Sequence, residues 1–145
     1  MSYDTGTISR PNIIGSTNQN MGSSIDISFD SEYYFVGSCE DSSNTGQFDI
    51  FKYIDPTQQL NANTFTSALY TITGSSIGSK LGFSVKSNWD GTRVVVGEPG
   101  SNHVRVITTS GKGITRWDPS TITTALITSP DSGSDNQFGY SVAIS

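Results

Sequence analysis

The chain repeats itself, and this internal repeat constrains its fold more than any other feature. Residues 22–38, GSSIDISFDSEYYFVGS, align with residues 82–98, GFSVKSNWDGTRVVVGE, at a constant offset of 60. Residues 66–85 align with residues 123–142 at a constant offset of 57, and FGYSV closes the second of these blocks. Because apolar positions coincide as well as polar ones, the pattern indicates a structural unit of 57–60 residues that is built in tandem.

Each repeat predicts four β-strands. GFSVKS (82–87) alternates apolar and polar residues, which is typical of a strand with one buried face. An NWDG turn follows it and leads into RVVVG (93–97), which is apolar on both faces. HVRVI (103–107) and ITTALIT (122–128) supply the third and fourth strands. Since a strand that is apolar on both faces needs cover from two sides, the unit is predicted to stack between neighbours of its own kind.

Composition agrees with an all-β protein and argues against several other classes. Only 14% of the 145 residues are charged, and Ser, Thr, Asn and Gly are abundant. The chain has neither a long 3.6-residue periodicity nor an apolar run long enough for a membrane-spanning helix. A net charge of −5 with scattered basic residues argues against a nucleic-acid partner. The single cysteine, Cys39, cannot form a disulfide within the chain.

The repeat resembles the FG-GAP repeat of integrin α-subunit-like β-propellers. LGFSVKSNWDGTRVVVGEPG (81–100) shares with that family a Gly-aromatic start, an Asp-Gly turn and a second strand that ends in Gly-x-Pro. Phe138 and Gly139 carry the Phe-Gly pair itself, whereas Glu98 stands where the family has alanine. The resemblance implies an all-β fold, namely an incomplete β-propeller of four-stranded antiparallel blades, with about two blades plus one extra strand.

The repeat boundaries divide the chain into four segments. Residues 1–14 are predicted to be an N-terminal segment that supplies an outer strand of a preceding blade. Residues 15–72 and 73–130 are the first and second FG-GAP-like blades, and residues 131–145 hold the first strand of a third, incomplete blade. Propellers generally close with about four to eight blades. We therefore expect either that the chain is the N-terminal part of a longer polypeptide, or that further copies or other proteins complete its sheets.

The loop DSSNTGQFD (41–49) is the main candidate for a metal site. It places Asp41, Ser43, Thr45 and Asp49 at loop positions 1, 3, 5 and 9, and their side-chain oxygens are ligands that Ca²⁺ accepts. The spacing is similar to that of the calcium loops of the integrin-type repeats. An ordinary polar turn is the other interpretation, because the loop holds only two carboxylates and joins the second and third strands, whereas the family's calcium loop joins the first and second. No other cofactor is expected.

No catalytic constellation is visible in the sequence, and the chain is predicted not to be an enzyme. His103, the only histidine, aligns with Gln47 and is interpreted as a polar residue at a strand edge. None of the serines lies in a nucleophile-elbow pattern. Trp89 aligns with Phe29 beside the Asp-Gly turn. Such aromatic residues stack on sugars in lectins, but a matching aromatic residue in the other repeat favours packing.

These patterns favour a non-catalytic β-propeller repeat module that serves binding or structural scaffolding in an extracellular surface or virion-type assembly. The expected partner is a protein, or further copies that complete the propeller, and carbohydrate is the second candidate. Two alternatives stay open: an accessory propeller domain of a larger secreted hydrolase, and a calcium-dependent adhesion module. The first ten residues, MSYDTGTISR, lack the basic and apolar regions of a secretory signal peptide.

Overall fold

The computed structural model describes residues 20–53, 67–113, 116–131, 133 and 136–145. These residues form two four-stranded antiparallel sheets and almost no helix. The first sheet holds β1 (Ser24–Ile27), β2 (Tyr33–Ser38), β3 (Gln47–Lys52) and β4 (Tyr70–Thr73), in that order. The second sheet holds β5 (Val85–Ser87), β6 (Arg93–Glu98), β7 (His103–Thr109) and β8 (Ile122–Thr128), also in chain order. The predicted all-β fold of four-stranded antiparallel units is confirmed.

Helical structure in the described part of the chain is confined to short turns. The first, α1 (Asp41–Asn44), joins β2 to β3 and contains backbone in the left-handed region at Ser42 and Ser43. Single 3₁₀ turns span Pro99–Ser101 and Pro119–Thr121. Among these elements no helix has the length and apolar character needed to cross a membrane.

The two sheets pack face to face around a single core. Antiparallel pairing places Phe35 of β2 opposite Ile50 of β3, so both side chains lie on the same face of the first sheet. Val94 of β6 and Ile107 of β7 are paired in the same way in the second sheet. The buried cluster between the sheets consists of Tyr33, Phe35, Phe48, Ile50, Leu81, Val85, Val94, Val96, Ile107 and Trp117. Full burial of each such side chain stabilises the fold by about 1.5–3 kcal/mol.

The second strand of each repeat lies inside its sheet and accounts for the run of apolar residues there. In β6, Val94 and Val96 are fully buried in the shared core, and Val95, on the opposite face, is 9% exposed. In β2, Phe35 and Val36 are buried on opposite faces in the same manner. Cover on both faces explains why neither strand alternates apolar with polar residues.

Residues 138–145 differ from the strand that the repeat predicts, because the structure assigns no strand to them. A β-strand is defined by its hydrogen-bonded ladder to a neighbouring strand, and in the described chain this segment has no such ladder. It nevertheless contacts the second sheet at Gly139, whose carbonyl oxygen accepts a hydrogen bond from Ser84 Oγ at 2.9 Å. The predicted N-terminal segment, residues 1–14, lies outside the described residues.

The described strands form two open sheets, and they do not close into a barrel or a propeller. The four-stranded sheets are thus established, and their arrangement as blades of a propeller stays a prediction.

Candidate functional site

The first strands of the two sheets lie side by side, which brings equivalent residues of the two repeats together. Ser24 Oγ, in β1, donates a hydrogen bond to the carbonyl oxygen of Gly82 at 2.7 Å. Farther along the same strand, Asp26 contacts Lys86 and Ser87 of β5. Because β1 and β5 run beside each other, the turns that follow them end at the same edge of the molecule.

An acidic residue of β1 links the two sheets at this edge. Asp26 Oδ1 lies 2.9 Å from Lys86 Nζ, and Asp26 Oδ2 accepts hydrogen bonds from the backbone N–H and the hydroxyl of Ser87, both at 2.6 Å. Partial burial would raise the pKa of Asp26, but these hydrogen bonds and the Lys86 charge hold the pKa below its ordinary value. The carboxylate therefore stays ionised and paired at neutral pH.

Two aromatic rings lie beyond this pair, one in each turn. Phe29 follows β1 and Trp89 follows β5, and the rings stack with their centroids 4.0 Å apart and an angle of 29° between their planes. The sequence favours packing for these aromatic residues, and in the structure the two rings pack on each other. Phe29 is 66% exposed and Trp89 is 70% exposed, so neither belongs to the core.

Both turns are held by aspartate side chains. Asp30 Oδ1 accepts hydrogen bonds from Ser28 Oγ and the Glu32 N–H, and its other oxygen forms an ion pair of 2.7 Å with Arg116. In the second repeat, Asp90 Oδ1 accepts the hydroxyl and the N–H of Thr92. Such side-chain to backbone bonds are the ones that favour Asp in tight turns. The two aromatic residues are thus carried on fixed backbone.

The strands and turns enclose an open groove of about 360 Å³. Its lining is Asp26, Ile27, Phe29, Lys86, Ser87, Asn88, Trp89, Ile144 and Ser145. The lining combines apolar and aromatic side chains with a carboxylate, an ammonium group and a hydroxyl group. A groove of this kind can stack on a flat apolar surface and form hydrogen bonds at its edge, which is the chemistry of a ligand-binding site.

A second cluster of charged groups is buried between the sheets. Glu98, at the end of β6, is fully buried and pairs with Arg105 Nε at 2.9 Å. The backbone N–H of Ser75 donates to the same carboxylate, and Arg105 Nη2 donates to Ser75 Oγ at 3.0 Å. Burial would raise the pKa of Glu98, but the hydrogen bonds from Arg105 and Ser75 and the Arg105 charge lower it. Since Ser75 follows β4, the cluster joins one sheet to the other.

His103 lies at the margin of this charged cluster. It begins β7, and its Nδ1 lies 4.0 Å from Glu98 Oε2. The repeat alignment indicates a polar residue at a strand edge; His103 is the first residue of β7, a strand that lies inside its sheet between β6 and β8. The full burial of Glu98 is what sequence reasoning missed: the only signal was a glutamate at the end of an apolar strand, at a position where the resembling family has alanine.

The residues of the predicted calcium loop occupy two different environments. Asp41, Ser43 and Thr45 lie in and directly after α1, and Asp49 is a buried residue of β3. Gln47 Nε2 and Thr71 Oγ1 donate to the two carboxylate oxygens of Asp49 at 2.7 and 2.6 Å. In the described part of the chain no three His, Cys, Asp or Glu side chains are grouped so that they could hold a metal. The hypothesis of a calcium site stays a prediction.

No protein-family model matches the chain, and no curated protein matches its sequence.

Proposed function

We propose that the two sheets are consecutive blades of a β-propeller, and that the chain is a non-catalytic repeat module with a binding or structural role in a surface or virion-type assembly. The groove between the first strands of the two blades is its contact surface for a ligand or partner.

The observation that carries this proposal is a contact that recurs with the sequence repeat. Ser24 of the first unit donates to the carbonyl oxygen of Gly82 in the second at 2.7 Å. Ser84 of the second unit donates to the carbonyl oxygen of Gly139 in the third at 2.9 Å. When the same contact recurs between successive units, each unit is related to the next by a similar rotation and translation. Repetition of such a step generates tandem arrays and propellers.

The charged side chains of the molecule support a structural use rather than a catalytic one. Asp26 bonds Ser87 of the opposite sheet, and Glu98 bonds both Arg105 of its own sheet and Ser75 in the segment that follows β4. Asp49 is held by Gln47 and Thr71 within its own sheet. These carboxylates therefore hold the sheets together and orient their strands. A general acid or base, in contrast, needs a proton-transfer group within reach of a substrate.

Electron microscopy of the polypeptide in its native state tests the proposal. The polypeptide that carries these residues is purified from its source without denaturation, and its intact mass and particle images are recorded. We expect disc-shaped particles with radially arranged blades, either within one chain or within an assembly of chains. Particles in which the two sheets form an isolated sandwich, without further blades from any chain, would overturn the proposal.

A further inference from the structure

We propose that Phe29 and Trp89 form a stacking platform for a neutral saccharide, with Asp26 and Lys86 as the polar edge that binds its hydroxyl groups. This inference rests on the proposed binding role and gives it a ligand class. It is carried by the exposure of the rings, the fixed geometry of their turns and the charge balance of the groove.

The two rings stay largely exposed although they stack on each other, and this remaining exposure points to a ligand. The rings stack on each other at 4.0 Å, so each covers one face of the other. Their exposures of 66% and 70% therefore lie on the outer faces and edges. Ile27, which is 45% exposed, lines the same groove as the two rings. A contiguous apolar patch rimmed by polar groups is the usual mark of an interaction site.

The turns that carry the platform are held by hydrogen bonds within the chain. Asp30 and Asp90 fix the two turns through hydrogen bonds to Glu32 and Thr92, and the carbonyl oxygen of Gly91 accepts a hydrogen bond from the buried Trp117 at 3.0 Å. Preorganised aromatic side chains lose little conformational entropy when a ligand stacks on them. A pyranose ring offers an apolar C–H face to such a platform and hydroxyl groups around its rim.

The charge balance of the groove selects a neutral sugar. Asp26 and Lys86 form an ion pair, so the two charged side chains that line the groove neutralise each other. Lys86 uses one of its N–H groups in this pair and keeps a half-exposed side chain, which leaves donors for a sugar hydroxyl. The chain as a whole carries a net charge of −5, and this field disfavours sialylated or sulfated glycans as well as nucleic acids.

Ligand-observed NMR on the full native polypeptide tests the inference. The probes are neutral sugars, namely glucose, galactose, mannose, N-acetylglucosamine and their disaccharides, with sialyllactose as the anionic probe. We expect saturable binding of at least one neutral sugar and none of sialyllactose. Trp89→Ala is expected to weaken that binding by about tenfold or more, the scale of losing one aromatic contact, and Trp89→Phe to weaken it less.

Ile77→Ala is the matched control, because Ile77 is 80% exposed and does not line the groove. It is expected to bind the sugar as the unchanged protein does, and thermal melts of all three variants confirm folding. The inference is overturned if no neutral sugar binds, if only the anionic probe binds, or if Trp89→Ala binds as tightly as Ile77→Ala. If microscopy shows disc-shaped particles but no sugar binds, only the saccharide proposal fails. If microscopy shows isolated two-sheet particles, the repeat-module proposal fails.

Discussion

Gly37 lies directly against Gly82: an added Cβ at position 37 would collide with the carbonyl oxygen of Gly82. Gly97 has the same relationship to Gly139 in the next repeat. Backbone from successive units therefore approaches through a position where only glycine fits. This close approach sets the distance between the first strand of one unit and the second strand of the unit before it.

Substituting either glycine tests this approach. Gly37→Ala and Gly97→Ala are each expected to lower the free energy of unfolding by about 1–3 kcal/mol, because a methyl group would force the backbone of two units apart. Urea unfolding followed by circular dichroism measures the change. Gly133→Ala is the control, since an added Cβ there meets no atom of the described residues within 4 Å. Equal stability of all three variants would contradict the close-packed contact.

The buried ion pair gives a second prediction. Arg105→Met leaves the Glu98 carboxylate fully buried without its cation, so the free energy of unfolding is expected to fall by about 3–5 kcal/mol. The double variant Glu98→Gln with Arg105→Met should recover most of that loss, because the neutral amide needs no cation and its oxygen still accepts the N–H of Ser75. A single variant as stable as the unchanged chain would show that Arg105 contributes nothing to the interface.

The folded protein is also expected to be less stable at acidic pH than at neutral pH. The pKa values of Glu98 and Asp26 are lowered in the folded protein below their ordinary values of 4.5 and 3.8. A lowered pKa means that the folded state binds protons less readily than the unfolded chain, so these groups stabilise the fold above those values. That stability is lost as the pH falls through the lowered folded-state values.

Melting temperatures recorded between neutral and acidic pH check this dependence. The unchanged chain should hold a nearly constant melting temperature down to about pH 5 and lose stability below it. Glu98→Gln should flatten the acidic limb, whereas Glu40→Gln, at an exposed position, should leave it unchanged. A melting temperature that rises on acidification would contradict the lowered pKa values.

The calcium hypothesis for Asp41, Ser43, Thr45 and Asp49 makes a prediction that needs only a chelator. If the loop binds Ca²⁺, removal of the ion lowers the melting temperature, since a ligand that binds only the folded state stabilises it. Asp41→Ala should abolish that shift. An identical melt with and without chelator in the unchanged chain would end the hypothesis.

Local sequence patterns predict most of the strands, since the alternation in each repeat and the apolar second strand depend on neighbouring residues alone. β6 (Arg93–Glu98) and β7 (His103–Thr109) fall where RVVVG and HVRVI indicate them. The Asp-Gly turn between β5 and β6 is likewise readable, because Asp90 bonds its own backbone two residues on. The predicted strand at 138–145 is the exception, because a strand needs a paired neighbour.

Only part of the candidate site could be predicted from local sequence patterns. Trp89 and Phe29 could be aligned from the repeat, but the alignment does not predict that their rings touch. Their exposure could not be inferred, because it depends on β1 and β5 running side by side at an edge of the molecule. The pairing of Asp26 with Lys86 depends on the same juxtaposition.

The sequence by itself determined the repeat, the four strands of each unit and the turns between them, because these follow from short-range periodicity and backbone preference. Only the tertiary structure decided which faces meet. It buried Glu98 against Arg105, turned Asp49 toward Gln47 and Thr71, and left the Phe29 and Trp89 rings facing solvent. The physical reason is that long-range packing between sheets sets burial and pairing, and residues far apart in the chain carry no local signal of that contact.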